Sequence, residues 1–146
     1  MALSKDLREF VELLNSRGVD YVVVGAHSVA FHGRPRYTGD LDILVRPTSE
    51  QGAKLVQLLA EFGFTEIGLT AADFVESGQI IQIGRPPNRI DLLTSLSGVP
   101  VEEALATKIP AEIDGIPVFV LGKEALIRNK RATDRPQDLA DLESLM

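Results

Sequence analysis

The stretch that most restricts how this chain can fold is Asp40-Leu41-Asp42-Ile43-Leu44-Val45-Arg46. Its apolar, β-branched character reads as a strand over residues 40 to 46, and in a strand residues two apart project to the same face. Asp40 and Asp42 therefore point together while Leu41 and Ile43 face a core. Two like charges this close repel one another, and a pair of this kind stays ionised most easily with a cation between them. A third carboxylate, Asp91, stands in a second apolar run, Ile90-Asp91-Leu92-Leu93, where a charge needs a partner. If the two strands are neighbours, Asp40, Asp42 and Asp91 form one acidic constellation. Magnesium, or manganese in its place, suits such a site, because a hard cation prefers oxygen ligands and commonly joins one or two carboxylates to substrate phosphates.

The rest of the chain supplies alternating helices and strands. Leu7, Phe10, Val11 and Leu14 recur at helical spacing, so residues 4 to 16 read as an amphipathic helix ending before Gly18. Tyr21-Val22-Val23-Val24 reads as a strand buried on both faces. Gly25 closes it, and Ala26 to His32 reads as a short helix. Thr48-Ser49-Glu50-Gln51 matches a capping box opening a helix whose apolar face is Leu55, Val56, Leu59 and Phe62, with Gly63 as its stop. Short strands are expected at Phe64 to Ile67, Gln79 to Ile83 and Arg89 to Leu93, the last two joined through Gly84-Arg85-Pro86-Pro87-Asn88. Val101 to Thr107 reads as a helix, and Ile113-Asp114-Gly115-Ile116 as a hairpin turn. Two helices, at about 123 to 132 and 136 to 145, complete the pattern, with Pro136 well placed at the start of the second. No repeat or linker interrupts residues 1–146, so the expectation is one α/β (α+β) domain with a mixed β-sheet, flanking helices and C-terminal helices.

Composition narrows the chemistry. With no cysteine, disulfide frameworks, thiolate zinc sites and cysteine nucleophiles are excluded, and a reducing cytoplasm is the expected compartment. No apolar run approaches the roughly 20 residues that span a bilayer, so no membrane partner is expected. A net charge of -6 argues against a broad grip on extended nucleic acid, which depends on neutralising phosphates. The local basic cluster Arg128, Lys130, Arg131 and Arg135 is the exception to that balance.

Around the acidic constellation, Gly25 lets backbone amides approach an anion closely, and the helix after it presents a positive N-terminus to a phosphate chain. Ser28 offers a hydroxyl donor beside it. A simple tight turn explains the lone glycine equally well. Arg34 and Arg36 precede the acidic pair; Arg34 reads as a solvated loop residue, while Arg36 either steadies a phosphate or offsets the carboxylates. Lys130 follows an apolar helical face, and its ordinary reading is a surface lysine at a helix C-terminus. Arg135 and Asp138 read as a structural pair at the start of the last helix. His27 and His32 are five apart, on different helix faces, and read as packing or hydrogen-bonding residues and not as a shared metal site.

The run Val24-Gly25-Ala26-His27-Ser28, followed by His32-Gly33-Arg34-Pro35-Arg36-Tyr37-Thr38-Gly39-Asp40-Leu41-Asp42, resembles the nucleotidyltransferase superfamily that includes DNA polymerase β, and more closely its small bacterial members related to AbiEii-type toxins and minimal nucleotidyltransferases. The resemblance extends through Asp91 to Leu126-Ile127-Arg128-Asn129-Lys130, Arg135-Pro136-Gln137-Asp138 and Asp141. It implies that Asp40, Asp42 and Asp91 are catalytic metal ligands, that Gly25 and Ser28 lie at a nucleoside triphosphate such as ATP, and that Arg36, Thr38 and Lys130 border the pocket. The activity implied is Mg2+- or Mn2+-dependent transfer of a nucleoside monophosphate to a hydroxyl of a protein, an RNA end or a small molecule, with Asp91 assisting deprotonation. A toxin–antitoxin role with an antitoxin-like protein partner is part of the same implication. Ala26 departs from the superfamily, which usually has a second glycine or a serine there. The alternatives are a fold of this kind that has lost catalysis and serves as a binding or regulatory module, and a metal-dependent phosphohydrolase.

Overall fold

The computed structural model describes residues 5–33, 39–63, 68–85 and 88–146. In chain order the elements are α1 (Lys5–Ser16), β1 (Tyr21–Val24), α2 (Gly25–His32), β2 (Leu41–Val45), α3 (Ser49–Glu61), a short 3-10 turn (Ala71–Phe74), β3 (Ile80–Arg85), β4 (Asn88–Leu93), α4 (Val101–Ala106), β5 (Ile109–Ile113), β6 (Ile116–Val120), α5 (Lys123–Thr133) and α6 (Pro136–Leu145). The six strands form one mixed sheet in the order β3-β4-β2-β1-β6-β5. The strand expected at Phe64 to Ile67 lies outside the described residues.

Strand alternation sorts the core into two layers. Tyr21, Val23, Leu41, Ile43, Val45, Ile83, Ile90 and Leu92 share one face of the sheet with Leu7, Phe10, Val11 and Leu14 of α1 and with Leu55, Leu58 and Leu59 of α3. Val22, Val24 and Leu44 point the other way, into a second cluster with Val29 of α2, Ala104 and Leu105 of α4, Ala125 and Leu126 of α5 and Leu145 of α6. All four residues of β1 are buried, as a continuous apolar strand requires. Asp42 lies between Leu41 and Ile43 and so faces the second layer, beneath α2, α5 and α6.

Local chemistry explains most element boundaries. The turn between β5 and β6 places Asp114 and Gly115 at φ 54° and 80°, the left-handed pair that a two-residue hairpin of this hand needs. The β3–β4 hairpin is tighter than its five-residue expectation, because Arg85 and Asn88 are still paired and only two residues separate the strands. Thr48 caps α3 by accepting from the Gln51 amide at 3.3 Å, but the reciprocal half of the expected capping box is absent. The Gln51 carboxamide oxygen instead accepts from the Asp20 amide at 2.8 Å, tying the helix start to the loop before β1. The inward face of α3 is also turned from the expected one, with Leu58 fully buried and Val56 and Phe62 at its margin. On the same helix the 3-10 turn lies so close to Gly52 that a Cβ there would stand 2.6 Å from the Ala71 carbonyl oxygen.

Candidate active site

The acidic constellation is assembled by pairing between β2 and β4. These strands run parallel, and their register sets Asp42 directly beside Asp91, with Leu41 beside Ile90 and Leu44 beside Leu93. Adjacent strands lie about 4.8 Å apart, so the two carboxylates leave the same face as immediate neighbours. Asp40 precedes β2 by one residue and opens onto the same cavity, whose volume is about 580 Å³. The structure thus brings together all three aspartates read from the sequence, at one mouth of the sheet.

Crowding and burial perturb this cluster. Burial pushes the Asp42 carboxyl up from 3.8 to about 7, helped by the charge and hydrogen bond of Asp91 and by the charge of Asp40, and Arg89 opposes the shift. Arg89 is the feature that the sequence analysis passed over. It lies two residues before Asp91, hence on the same face of β4, and forks onto that carboxylate, with Nε to Oδ1 at 3.0 Å and Nη2 to Oδ2 at 3.2 Å. Its Nη2 also reaches Asp40 Oδ2 at 3.4 Å. As the side chains stand, no three His, Cys, Asp or Glu groups among the described residues converge as a ready-made ion cage. The donor chemistry nevertheless suits a hard divalent cation: three carboxylates on one cavity, with the proton affinity of one raised by the others.

Gly25 begins α2 with φ +69°, a conformation that side chains rarely adopt. A Cβ at this position would stand 3.0 Å from Asp42 Cβ and Cγ and closer still to the carboxylate. The glycine is therefore required twice, by its backbone angle and by its approach to Asp42. A cleft of about 300 Å³ opens at the start of α2, lined by Gly25, Ala26, Asp40, Asp42, Lys130, Arg135 and Gln137. Ser28 is not brought to it. Its hydroxyl is fully buried and donates to the Gly25 carbonyl at 2.7 Å, the usual alternative for a serine inside a helix. Arg34, Arg36 and Thr38 lie outside the described residues.

Lys130 is no surface lysine. Its side chain is 6% exposed, and Nζ stands 3.2 Å from both Asp138 Oδ1 and Asp141 Oδ2 on α6. Asp138, with no exposure at all, also accepts from Thr133 at 2.5 Å, from the Arg135 amide at 3.1 Å and from Arg135 Nε at 2.8 Å. Burial alone would raise its pKa, but these hydrogen bonds hold the carboxyl far below the usual carboxylate range. The expected Arg135–Asp138 pair is thus present, inside a larger network that fixes Lys130 and Arg135 on the cavity wall. Arg128 is drawn away to Glu103, so the C-terminal basic residues do not form one patch. His32 meets the Leu121 carbonyl at 2.6 Å, and His27 is buried with its pKa lowered by that burial, in keeping with packing roles.

Part of the lining of the large cavity is neutral, and no sequence motif marks it. Gly78, Gln79 and Ile80 rim it, held by Thr94, whose hydroxyl accepts from the Gln79 amide at 2.8 Å and donates to the Glu76 carbonyl at 2.6 Å. Ser95, Leu96 and Ser97 also line it, pinned where Asn129 donates to the Ser97 carbonyl at 2.9 Å. The cavity therefore joins an acidic mouth, a cationic wall and an uncharged shelf.

Residues 3–146 match the family described as nucleotidyl transferase of unknown function (DUF2204). The chain belongs to this family. No curated protein matches the sequence. Among solved structures, the DUF2204 chain resembles a putative nucleotidyltransferase (TM1012) from Thermotoga maritima, with TM-score 0.62, 18% identity, and coverage of 95% of this chain and 87% of that one. It also resembles a lincosamide antibiotic adenylyltransferase, LnuA, solved with lincomycin bound, with TM-score 0.58, 15% identity, and coverage of 99% and 98%. An antigenic nucleotidyltransferase-like protein from Paracoccidioides brasiliensis matches with TM-score 0.57, 16% identity, and coverage of 99% and 77%. At these identities the likeness is one of fold, and it places the DUF2204 chain in the nucleotidyltransferase fold by architecture as well as by family. Among the described residues, no helix is long and apolar enough to cross a membrane.

Proposed function

We propose that the DUF2204 chain is a metal-dependent nucleotidyltransferase that moves a nucleoside monophosphate from a nucleoside triphosphate to an acceptor hydroxyl, releasing pyrophosphate. The observation that carries this reading is the register pairing of Asp42 with Asp91 on parallel neighbouring strands, with Asp40 at the same cavity and Gly25 closed against Asp42. Asp40, Asp42 and Asp91 would hold magnesium or manganese. Bound there, the cation neutralises phosphate charge and lowers the proton affinity of an attacking oxygen.

The chain's own residues supply the rest. In-line attack at a phosphate needs positioning and charge neutralisation more than a strong base. The amides at the start of α2 and the cations Lys130 and Arg135 line the 300 Å³ cleft, which suits the phosphate chain. Ala26 lacks a hydroxyl for that chain but keeps its N–H as a donor. The uncharged shelf of Gln79, Ile80, Leu93, Ser95 and Leu96 then receives a nucleoside or an acceptor of modest size. Asp91 faces this cavity and accepts the proton of the attacking hydroxyl. The fold neighbour that adenylylates a lincosamide antibiotic supports a small hydroxyl acceptor as the first class to try.

The test uses each α-labelled triphosphate with magnesium or manganese and a panel of hydroxyl acceptors, beside the Asp40→Asn/Asp42→Asn variant. Label transfer and pyrophosphate release by the wild type, both lost in the variant, are the expected result. Failure of the wild type to bind any triphosphate with metal, measured by calorimetry, overturns the reading.

A further inference from the structure

The charged residues of the large cavity are held by two different sets of partners. Lys130 and Arg135 are tied to Asp138 and Asp141, which stand outside the acidic triad. Arg89, among the described cavity cations, is held by the triad itself. It uses both oxygens of Asp91 and bridges to Asp40, and these are the oxygens a hard cation would take in the proposed site.

The side chain is placed to exchange. Arg89 is 31% exposed at the cavity wall, whereas Lys130 is 6% exposed, so the guanidinium can leave its carboxylates without disturbing the core. The fork that fits a carboxylate fits a phosphate equally well, because both offer two oxygens in one plane to parallel N–H donors. We propose that Arg89 is a substrate-phosphate ligand that rests on Asp91 and Asp40 and is transferred to the triphosphate when a divalent cation takes those carboxylates. The two binding events are then linked: the cation must displace Arg89, and the displaced guanidinium raises the affinity for phosphate. This inference rests on the nucleotidyl-transfer reading and adds to it a residue and a binding order.

The experiment compares wild type with Arg89→Gln and Arg89→Lys, using two probes that require no knowledge of the base or the acceptor. Free Mn2+ is counted by electron paramagnetic resonance during titration of each protein with manganese alone, and the manganese–tripolyphosphate complex is titrated by calorimetry. Circular dichroism establishes that the variants are folded. Arg89→Gln is expected to bind Mn2+ alone roughly fivefold to tenfold more tightly and the tripolyphosphate complex weaker by a similar factor, within the usual range of coupling between sites. Arg89→Lys, which keeps the charge and loses the fork, falls between. Unchanged or weaker Mn2+ affinity in Arg89→Gln overturns the inference, as does an undiminished affinity for the complex relative to that for Mn2+ alone, even where the wild type binds both probes and the broader reading stands. A wild type that binds neither probe overturns both.

Discussion

Replacing Asp42 by Asn should stabilise this protein, and the effect should depend on pH in a direction set by the site. The unfolded chain loses the Asp42 proton near 3.8, while in the folded protein burial and the neighbouring Asp91 and Asp40 delay that loss to about 7. Between those values the folded state binds more protons than the unfolded state, so stability falls as pH rises. Above about 7 the full penalty is present. At about 1.4 kcal/mol for each tenfold change in proton affinity, its upper bound is about 4 kcal/mol. Relaxation of the buried carboxylate toward solvent reduces the expected gain to about 2 kcal/mol, or about 6 °C in Tm for a chain of this size. Thermal unfolding followed by circular dichroism, in chelator so that no cation supplies the missing charge, measures it at about pH 8 and at about pH 3, below the unfolded-state pKa. The gain should be clear at the higher value and nearly absent at the lower. Equal gains at both values, or none at pH 8, would refute the argument that crowded carboxylates strain the fold.

Gly25→Ala should cost about 1–3 kcal/mol, because the residue needs φ +69° and its Cβ would press on Asp42; chemical denaturation measures the loss, and transferase activity should fall with it. Asp138→Asn removes one of the two carboxylates that hold buried Lys130, leaving Asp141, together with the charge that Arg135 and Thr133 bond to, and should lose about 3 kcal/mol near neutral pH, read as a lower urea midpoint. Since hydrogen bonds hold the Asp138 pKa below its ordinary value, its contribution is fully present above about pH 4 and fades as pH falls below that, so wild type and variant should converge in acid. Leu58→Ala should cost about 2–5 kcal/mol and Val56→Ala clearly less, a contrast in urea midpoints that tests the observed rotation of α3.

What could be read from sequence was whatever a residue's own element decides. The four inward residues of α1 follow from helical spacing, the burial of β1 from its unbroken apolar run, and the common face of Asp40 and Asp42 from strand alternation. That same alternation places Arg89 on the face of Asp91, so its fork was within reach of the rule that found the carboxylates. It escaped attention because basic residues just before an apolar run usually face solvent. Other outcomes depended on partners that no local pattern supplies. Lys130 looks like a surface lysine until α6 brings Asp138 and Asp141 against it, and Ser28 looks like a phosphate donor until its hydroxyl turns to the Gly25 carbonyl. The parallel register of β2 and β4 joins residues separated by the whole of α3, the 3-10 turn and β3, and it alone turns two acidic strands into one site. A change that shifts this register by one residue would send Asp91, and Arg89 with it, into the layer packed by α1 and α3, away from Asp40 and Asp42. Stability and chemistry at this site therefore depend on one pairing, which ties the raised pKa of Asp42 to the same geometry that would gather the cation.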